Sequence, residues 1–339
     1  MRSNHRSATR LNFSSATATA NNMFNWQIAQ RDYLNEMLRA DKFPHALLFS
    51  GPDGTGKTAF ATEYAEKILC QSDQDEACGH CHSCEVLAAD THPDYLNVAP
   101  AEEGKQIGVD LIRELIVKLN KTSQFSGKTV AIIENAEQLN RNAANALLKT
   151  LEEPTPNTIL ILVCSYPHRL LPTIRSRCLQ LNFATPDKQL ALSYLHQQAV
   201  KEPELYLQLA HGSPLKAAMM AEDELSEQRK VVLKNLIKTS RGQPISMSMK
   251  DIDKIPLKAV LDWCIDFCDD LIRVKLQGAQ AQLTHIDVRE ALSNMAQICD
   301  IKGLYQFRDV LIERKKQSNI ALNTQLLLED LLILWKQAF

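Results

Sequence analysis

The chain has 339 residues, 45% of them apolar and 23% charged, enough to bury two or three separate cores and too well mixed to stay unfolded. Its 38 Lys and Arg against 40 Asp and Glu leave a formal charge of -2, which excludes a global field drawing the protein onto DNA or an anionic bilayer, so any nucleic-acid contact is local or lent by partners. No apolar run reaches the roughly 18 residues that a spanning helix needs, so no membrane association is expected and the cytoplasm is the expected address.

In chain order, the first 22 residues, MRSNHRSATRLNFSSATATANN, hold three Arg, no acid and many Ser, Thr and Ala. This bias mimics an organelle transit peptide. The plainer reading assigns 1–23 to a disordered extension or to a start placed too early, with Met23 as the true start. Helical spacing then covers 26–40, and ALLF at 46–49 is a short buried strand that Gly51 and Pro52 stop. The next stretch, Gly51, Pro52, Asp53, Gly54, Thr55, Gly56, Lys57 and Thr58, has the GxxxxGK[ST] spacing between a strand and a helix expected over 57–69. In that setting backbone N–H groups and the helix N-terminus cradle phosphates, Lys57 reaches the β and γ oxygens, and Thr58 helps to hold Mg²⁺. The cofactor expected there is ATP or ADP with Mg²⁺.

Four of the nine cysteines then crowd into CQSDQDEACGHCHSC. Cys70, Cys78, Cys81 and Cys84 offer a tetrahedral thiolate set for a closed, structural zinc site, with an iron-sulfur cluster as the weaker alternative. Acidic residues surround the cluster and no Lys or Arg lies between 70 and 90, which argues against DNA contact there. Cys164, Cys178, Cys264, Cys268 and Cys299 sit in apolar surroundings and read as free core thiols.

After a loop marked by THPD at 91–94, LNVAP at 96–100 is a weak strand candidate, 109–120 is a helix, and GKTVAIIE is a strand ending in Glu134. Glu134 is placed to hold Mg²⁺ through a water. Asn135 stands where a water-activating carboxylate belongs, and an amide cannot accept a proton at neutral pH. Glu137, two residues further on, is the alternative carboxylate for that role, but it is expected to lie beyond the strand end, as an exposed helix-start carboxylate pointing elsewhere. A helix over 140–153 and a strand over 158–164 complete an alternation that implies a parallel sheet covered on both faces. TIRSRC then offers Arg175 and Arg177, and from these residues alone Arg177 is equally a local salt-bridge partner or a cation that stabilises a transferring phosphoryl group on a neighbouring subunit. The remainder is helical, with helices expected over 226–238, 255–277, 286–300, 303–316 and 320–338, and shows no basic stripe. A stand-alone zinc-dependent nucleic-acid-binding protein is therefore disfavoured.

HALLFSGPDGTGKT, CGHCHSC, HPD, AANALLKTLEEP and IRSRC together resemble the delta prime family of bacterial DNA polymerase III clamp-loader subunits, within the AAA+ clade, over the chain from about Phe24 onward. The resemblance implies an α/β nucleotide-binding fold of AAA+ type at 24–184 with an inserted Cys₄ zinc module at 70–84, a helical lid at 185–225 and an all-helical collar at 226–339. It implies partners, too: gamma or tau and delta subunits in a hetero-oligomeric ring, the sliding clamp, and primed DNA through the assembled complex. It makes Arg177 a trans-acting residue aimed at a neighbour's ATP site, with Arg175 a weaker candidate, and it brings Lys149 near that boundary. It also sets Leu215 where motor subunits carry an arginine, with Lys216 beside it, and Ser165 near the sensor position at the end of a strand. The implied role is a non-motor, stator-like subunit of the DNA polymerase III holoenzyme with weak or no ATPase of its own and no polymerase site. The alternative is an ATP-hydrolysing motor subunit of the same or a related machine, favoured by the intact glycine loop and opposed by Asn135 and Leu215.

Overall fold

The computed structural model describes residues 24–72, 75–102, 104–125, 127–222, 225–245, 252, 254–317 and 324–339. The expected N-terminal extension and the start of the last expected helix lie outside these residues. The chain divides into two compact units, Met1–Leu190 and Ala191–Phe339.

The first unit is built on five parallel strands, β1 (Ala46–Ser50), β2 (Tyr95–Val98), β3 (Thr129–Ile133), β4 (Thr158–Cys164) and β5 (Leu179–Asn182), in the order β2-β3-β4-β1-β5. The central strands β3 and β4 are buried at every position, which explains why their sequences are unbroken apolar runs instead of alternating ones. Successive side chains still part to opposite faces. Ala46, Leu48, Ala131, Ile133, Leu160 and Leu162 pack against α4 (Val109–Leu119) and α5 (Arg141–Glu152). Leu47, Phe49, Val130, Ile132, Ile161 and Val163 pack against α1 (Ile28–Arg39) and α2 (Lys57–Leu69). Asn140 caps α5, its side chain accepting the Ala143 N–H at 2.8 Å. Two short helices complete the unit, α3 (His82–Ala88) and α6 (Pro172–Arg175).

The second unit is wholly helical among the described residues. The chain divides inside α7 (Lys188–Gln197), which packs with α8 (Pro203–Leu209) and α9 (Pro214–Glu222) around a small core of Ala191, Leu195, Leu205, Leu209 and Ala217. A larger core is shared by α10 (Leu225–Ser240), α11 (Leu257–Gln277), α12 (Arg289–Ile298), α13 (Ile301–Gln317) and α14 (Thr324–Gln337). Its largest buried side chain, Trp335, is satisfied by donating its indole N–H to Leu236 O at 2.9 Å.

One expectation about this unit is overturned. Winding 225–240 into a helix brings Lys230, Lys234 and Lys238 to one face at successive turns, with Arg241 just beyond, so a basic stripe does exist there. Lys230, Lys234 and Lys238 recur at i, i+4 and i+8 within the helix expected over 226–238, so the 3.6-residue period that lines them up was already available in the sequence.

Candidate functional site

Three strand ends meet at the C-terminal edge of the sheet: the glycine loop after β1, residues 134–138 after β3, and Ser165 after β4. Ligands of open parallel sheets collect at this edge, where the loops of neighbouring strands converge.

The glycine loop is tightly enclosed. A Cβ on Gly51 would lie 2.0 Å from Phe183 O, and one on Gly56 would lie 2.7 Å from the Phe24 ring and 2.8 Å from Gln27 Nε2. Gly56, at φ +90°, also adopts the left-handed conformation that side chains resist. It precedes α2 without a side-chain cap, so the helix begins with N–H groups open to a ligand. Trp26 Nε1 and Gln27 Nε2 both donate to Thr55 O, at 3.0 and 2.9 Å, and pin the loop from the N-terminal segment. Lys57 is 4% exposed, and its ammonium donates to Pro52 O at 2.6 Å. Burial pushes its pKa down, while the nearby carboxylates of Asp53 and Glu137 pull it back up. An ammonium held against a neutral carbonyl is compensated only in part, and the arrangement suits an incoming anion.

Glu134 extends the β2–β3 ladder through its N–H to Val98 O at 2.8 Å, and its side chain accepts from Asn97 Nδ2 at 2.7 Å. Asn135 is exposed and left-handed, with φ 48° and ψ 49°, and opens a 3₁₀ turn over Ala136–Gln138. That turn corrects the expectation for Glu137. Its carboxylate is half-buried and points back at the sheet, both oxygens accepting the Ser165 N–H at 3.2 Å. It also contacts the Cys164 thiol, which burial and this carboxylate push up to about 12. Linear spacing could not reveal this, because the reversal depends on Asn135 adopting a conformation that few residues other than glycine and asparagine tolerate.

Away from the loop, Arg177 follows α6 and is 34% exposed. Its guanidinium meets Glu152 at 2.5 Å, a carboxylate itself 50% exposed at the end of α5, and donates to Thr173 O at 2.9 Å. Arg175 turns inward and donates to Pro167 O at 3.3 Å. Leu215 and Lys216 lie in the first turns of α9, both half-buried, in the second unit.

The four clustered cysteines come together, their sulfurs all within 4.8 Å of one another, and Cys70 Sγ and Cys81 Sγ are 3.9 Å apart. A tetrahedral Zn–S₄ centre has sulfur–sulfur edges of roughly 3.8 Å, given Zn–S bonds of about 2.3 Å. Cys70 ends α2, Cys81 precedes α3 and Cys84 lies within it, so two helices set the ligand directions. Backbone N–H groups of Ser72 and Cys78 donate to Cys70 Sγ at 3.4 and 3.3 Å, and Cys81 N–H donates to Cys78 Sγ at 3.3 Å. Such bonds stabilise thiolate over thiol, and the pKa of Cys78, which accepts from the His80 backbone first, is brought down to about 6, whereas burial pushes the Cys84 thiol up to about 12. The residues present thus fit a metal that binds four thiolates.

Beneath the cluster lies a relay that motif spacing did not expose. Asp94 N–H donates to His92 Nδ1 at 3.1 Å, which leaves the His92 proton on Nε2, facing Ser83 Oγ at 2.9 Å. Ser83 in turn donates to Leu69 O at 2.7 Å, closing the end of α2. Burial lowers the His92 pKa, as a relay built on a neutral imidazole requires. The Asp94 carboxylate accepts from Ser123 Oγ and from the N–H groups of Gln124 and Phe125, at 2.9 to 3.0 Å. A histidine and a carboxylate inside one short THPD segment were the available signal.

Residues 26–187 match the family model described as DNA polymerase III, delta subunit, and residues 223–337 match that of its C-terminal region. The chain is 38% identical to DNA polymerase III subunit delta' of Pseudomonas aeruginosa across 86% of this chain and 91% of that protein. It is 31% identical to the delta' subunit of Escherichia coli, across 87% of this chain and 90% of that one. Among solved structures it is similar to a DNA polymerase III gamma subunit-related protein from Thermotoga maritima, at 18% identity with a TM-score of 0.42, covering 91% of this chain and 99% of that one.

Proposed function

The chain belongs to the DNA polymerase III delta' subunit family, and from that premise we propose that it is the non-motor, stator-like subunit of a clamp loader, acting on ATP in trans through Arg177. One observation carries this reading: the Arg177 guanidinium is partly exposed and held by an exposed carboxylate, Glu152, so it can exchange that partner for a neighbour's phosphate. An exposed ion pair of this kind is worth under about 1 kcal/mol, which makes the exchange inexpensive. A guanidinium placed on the charge that develops in phosphoryl transfer raises rates by roughly 10³ to 10⁵.

In this reading, residues 24–184 form the nucleotide-binding domain, 185–225 a lid, and 226–339 the collar that joins gamma or tau and delta subunits in a ring. The ring opens a sliding clamp and sets it on primed DNA, in the cytoplasm. Gly51 to Thr58, with Glu134, hold ATP or ADP with Mg²⁺ as structure, because exposed Asn135 supplies no general base. The four cysteines hold zinc, which supplies folding energy to a loop too polar to pack alone. Bound zinc in the purified chain, and its loss on Cys81→Ser, checks this; a metal-free native chain of full stability would remove it.

Glu137 favours a second reading, a motor subunit, since a carboxylate does face the Lys57 side of the site. Against it, both Glu137 oxygens are already engaged by the Ser165 N–H. The deciding experiment reconstitutes the complete clamp loader with Arg177→Ala. ATP turnover is expected to fall by about 10³ with the ring still assembled; unchanged turnover sinks the trans role.

A further inference from the structure

The basic stripe on α10 borders an open groove of about 270 Å³, and four cations line it: Lys230, Lys234, Lys238 and Arg241. All four are exposed, while Leu233 and Ile237 on the same helix give the groove an aliphatic floor. The carboxylate that also lines it, Asp287, is already engaged, both oxygens accepting from buried Arg229 at 2.5 and 3.2 Å. Lys230 shares its charge with exposed Glu227 at 2.8 Å. Lys234, Lys238 and Arg241 have no carboxylate partner among the described residues. Among the described residues, three exposed cations without a carboxylate partner, beside two acids that are already paired, make this a local positive field on a chain whose formal charge is -2.

We propose that this groove binds the phosphate backbone of one DNA strand without reading its sequence. Lysines four residues apart on a helix are spaced by about 6 Å along its axis, and the row from Lys230 to Arg241 spans about 16 Å. Among the described residues no aromatic side chain lines the groove, so these residues offer stacked bases no platform and the contact is electrostatic. A row of flexible ammonium groups tracks a repeating phosphate chain better than the fixed carboxylates of a folded protein partner. The site is independent of the role given to Arg177, and DNA binding that survives Arg177→Ala separates the two.

The experiment measures fluorescence anisotropy of a labelled single-stranded DNA of mixed sequence with the full chain, and with K234A/K238A/R241A, after circular dichroism has shown equal helix content. The wild-type chain is expected to bind at low salt, and the variant more weakly. Each lost contact lowers the salt slope by about 0.7 for single strands, so for the three contacts removed the variant's affinity should fall roughly twentyfold less than that of the wild type between about 50 and about 200 mM salt. The proposal is overturned if the wild-type chain binds no DNA at low salt, or if the variant keeps both affinity and slope. An equal loss in a control chain altered at three exposed lysines of the first unit, K105A/K118A/K121A, overturns it as well. So does displacement of the DNA by polyglutamate as readily as by unlabelled DNA, since the groove would then favour an acidic polypeptide.

Discussion

Lys57 and Arg177 both belong to the first unit, and the chain treats them in opposite ways. Lys57 is 4% exposed and spends its ammonium on a carbonyl of its own loop. Arg177 is 34% exposed and sits in an ion pair whose other member is more exposed still. Burial makes the first cation a fixture of the loop's geometry; solvent makes the second exchangeable. Where a charge is neutralised, and by what, therefore says more about its use than the motif that contains it. In the proposed reading the glycine loop holds nucleotide as structure, and the group that exchanges its partner for another molecule is the arginine.

Changes at the two sites should separate accordingly. The largest effect is expected from Arg177→Ala, through turnover by the assembled loader, while the stability of the isolated chain moves by no more than about 1 kcal/mol. A stability loss well beyond that in urea melts would show Arg177 to be structural and erase the contrast. Gly56→Ala comes next. It forces a Cβ into the left-handed region and against Phe24 and Gln27. A loss of about 1–3 kcal/mol is expected, together with weakened nucleotide binding. Wild-type stability in that variant would mean that the enclosure of the loop is not tight. The smallest effect belongs to Glu152→Gln, which releases Arg177 from an exposed pair. Stability and assembled turnover should each shift by about 0.5 kcal/mol or less, close to twofold in rate. A collapse of turnover would mean that Glu152 positions the arginine during the reaction and is more than a resting partner.

Much of the fold was legible because its signals are local. Unbroken apolar runs marked β1, β3 and β4, helical periodicity marked α4 and α11, and close cysteine spacing marked the sulfur cluster. The edge strand β5 and the short helix α3 escaped because each offers too few residues for a period to emerge. The carboxylate at the heart of the loop site escaped for another reason. Glu137 returns to the sheet through one left-handed residue, and backbone reversals of that kind leave no periodic trace. Likewise the relay from Asp94 through His92 and Ser83 to Leu69 joins residues up to 25 positions apart, which only the folded chain brings together. The lysine row on α10 was present in the sequence and went unseen until the helix was wound.

The central claim is that this subunit frames another's chemistry and performs none of its own. The most direct test measures nucleotide binding and ATP turnover by the purified chain alone, beside Lys57→Ala. Binding that depends on Lys57, with negligible turnover, is the predicted result. Turnover by the isolated chain that disappears with Lys57→Ala would contradict the account, and would make Glu137 the carboxylate to change next.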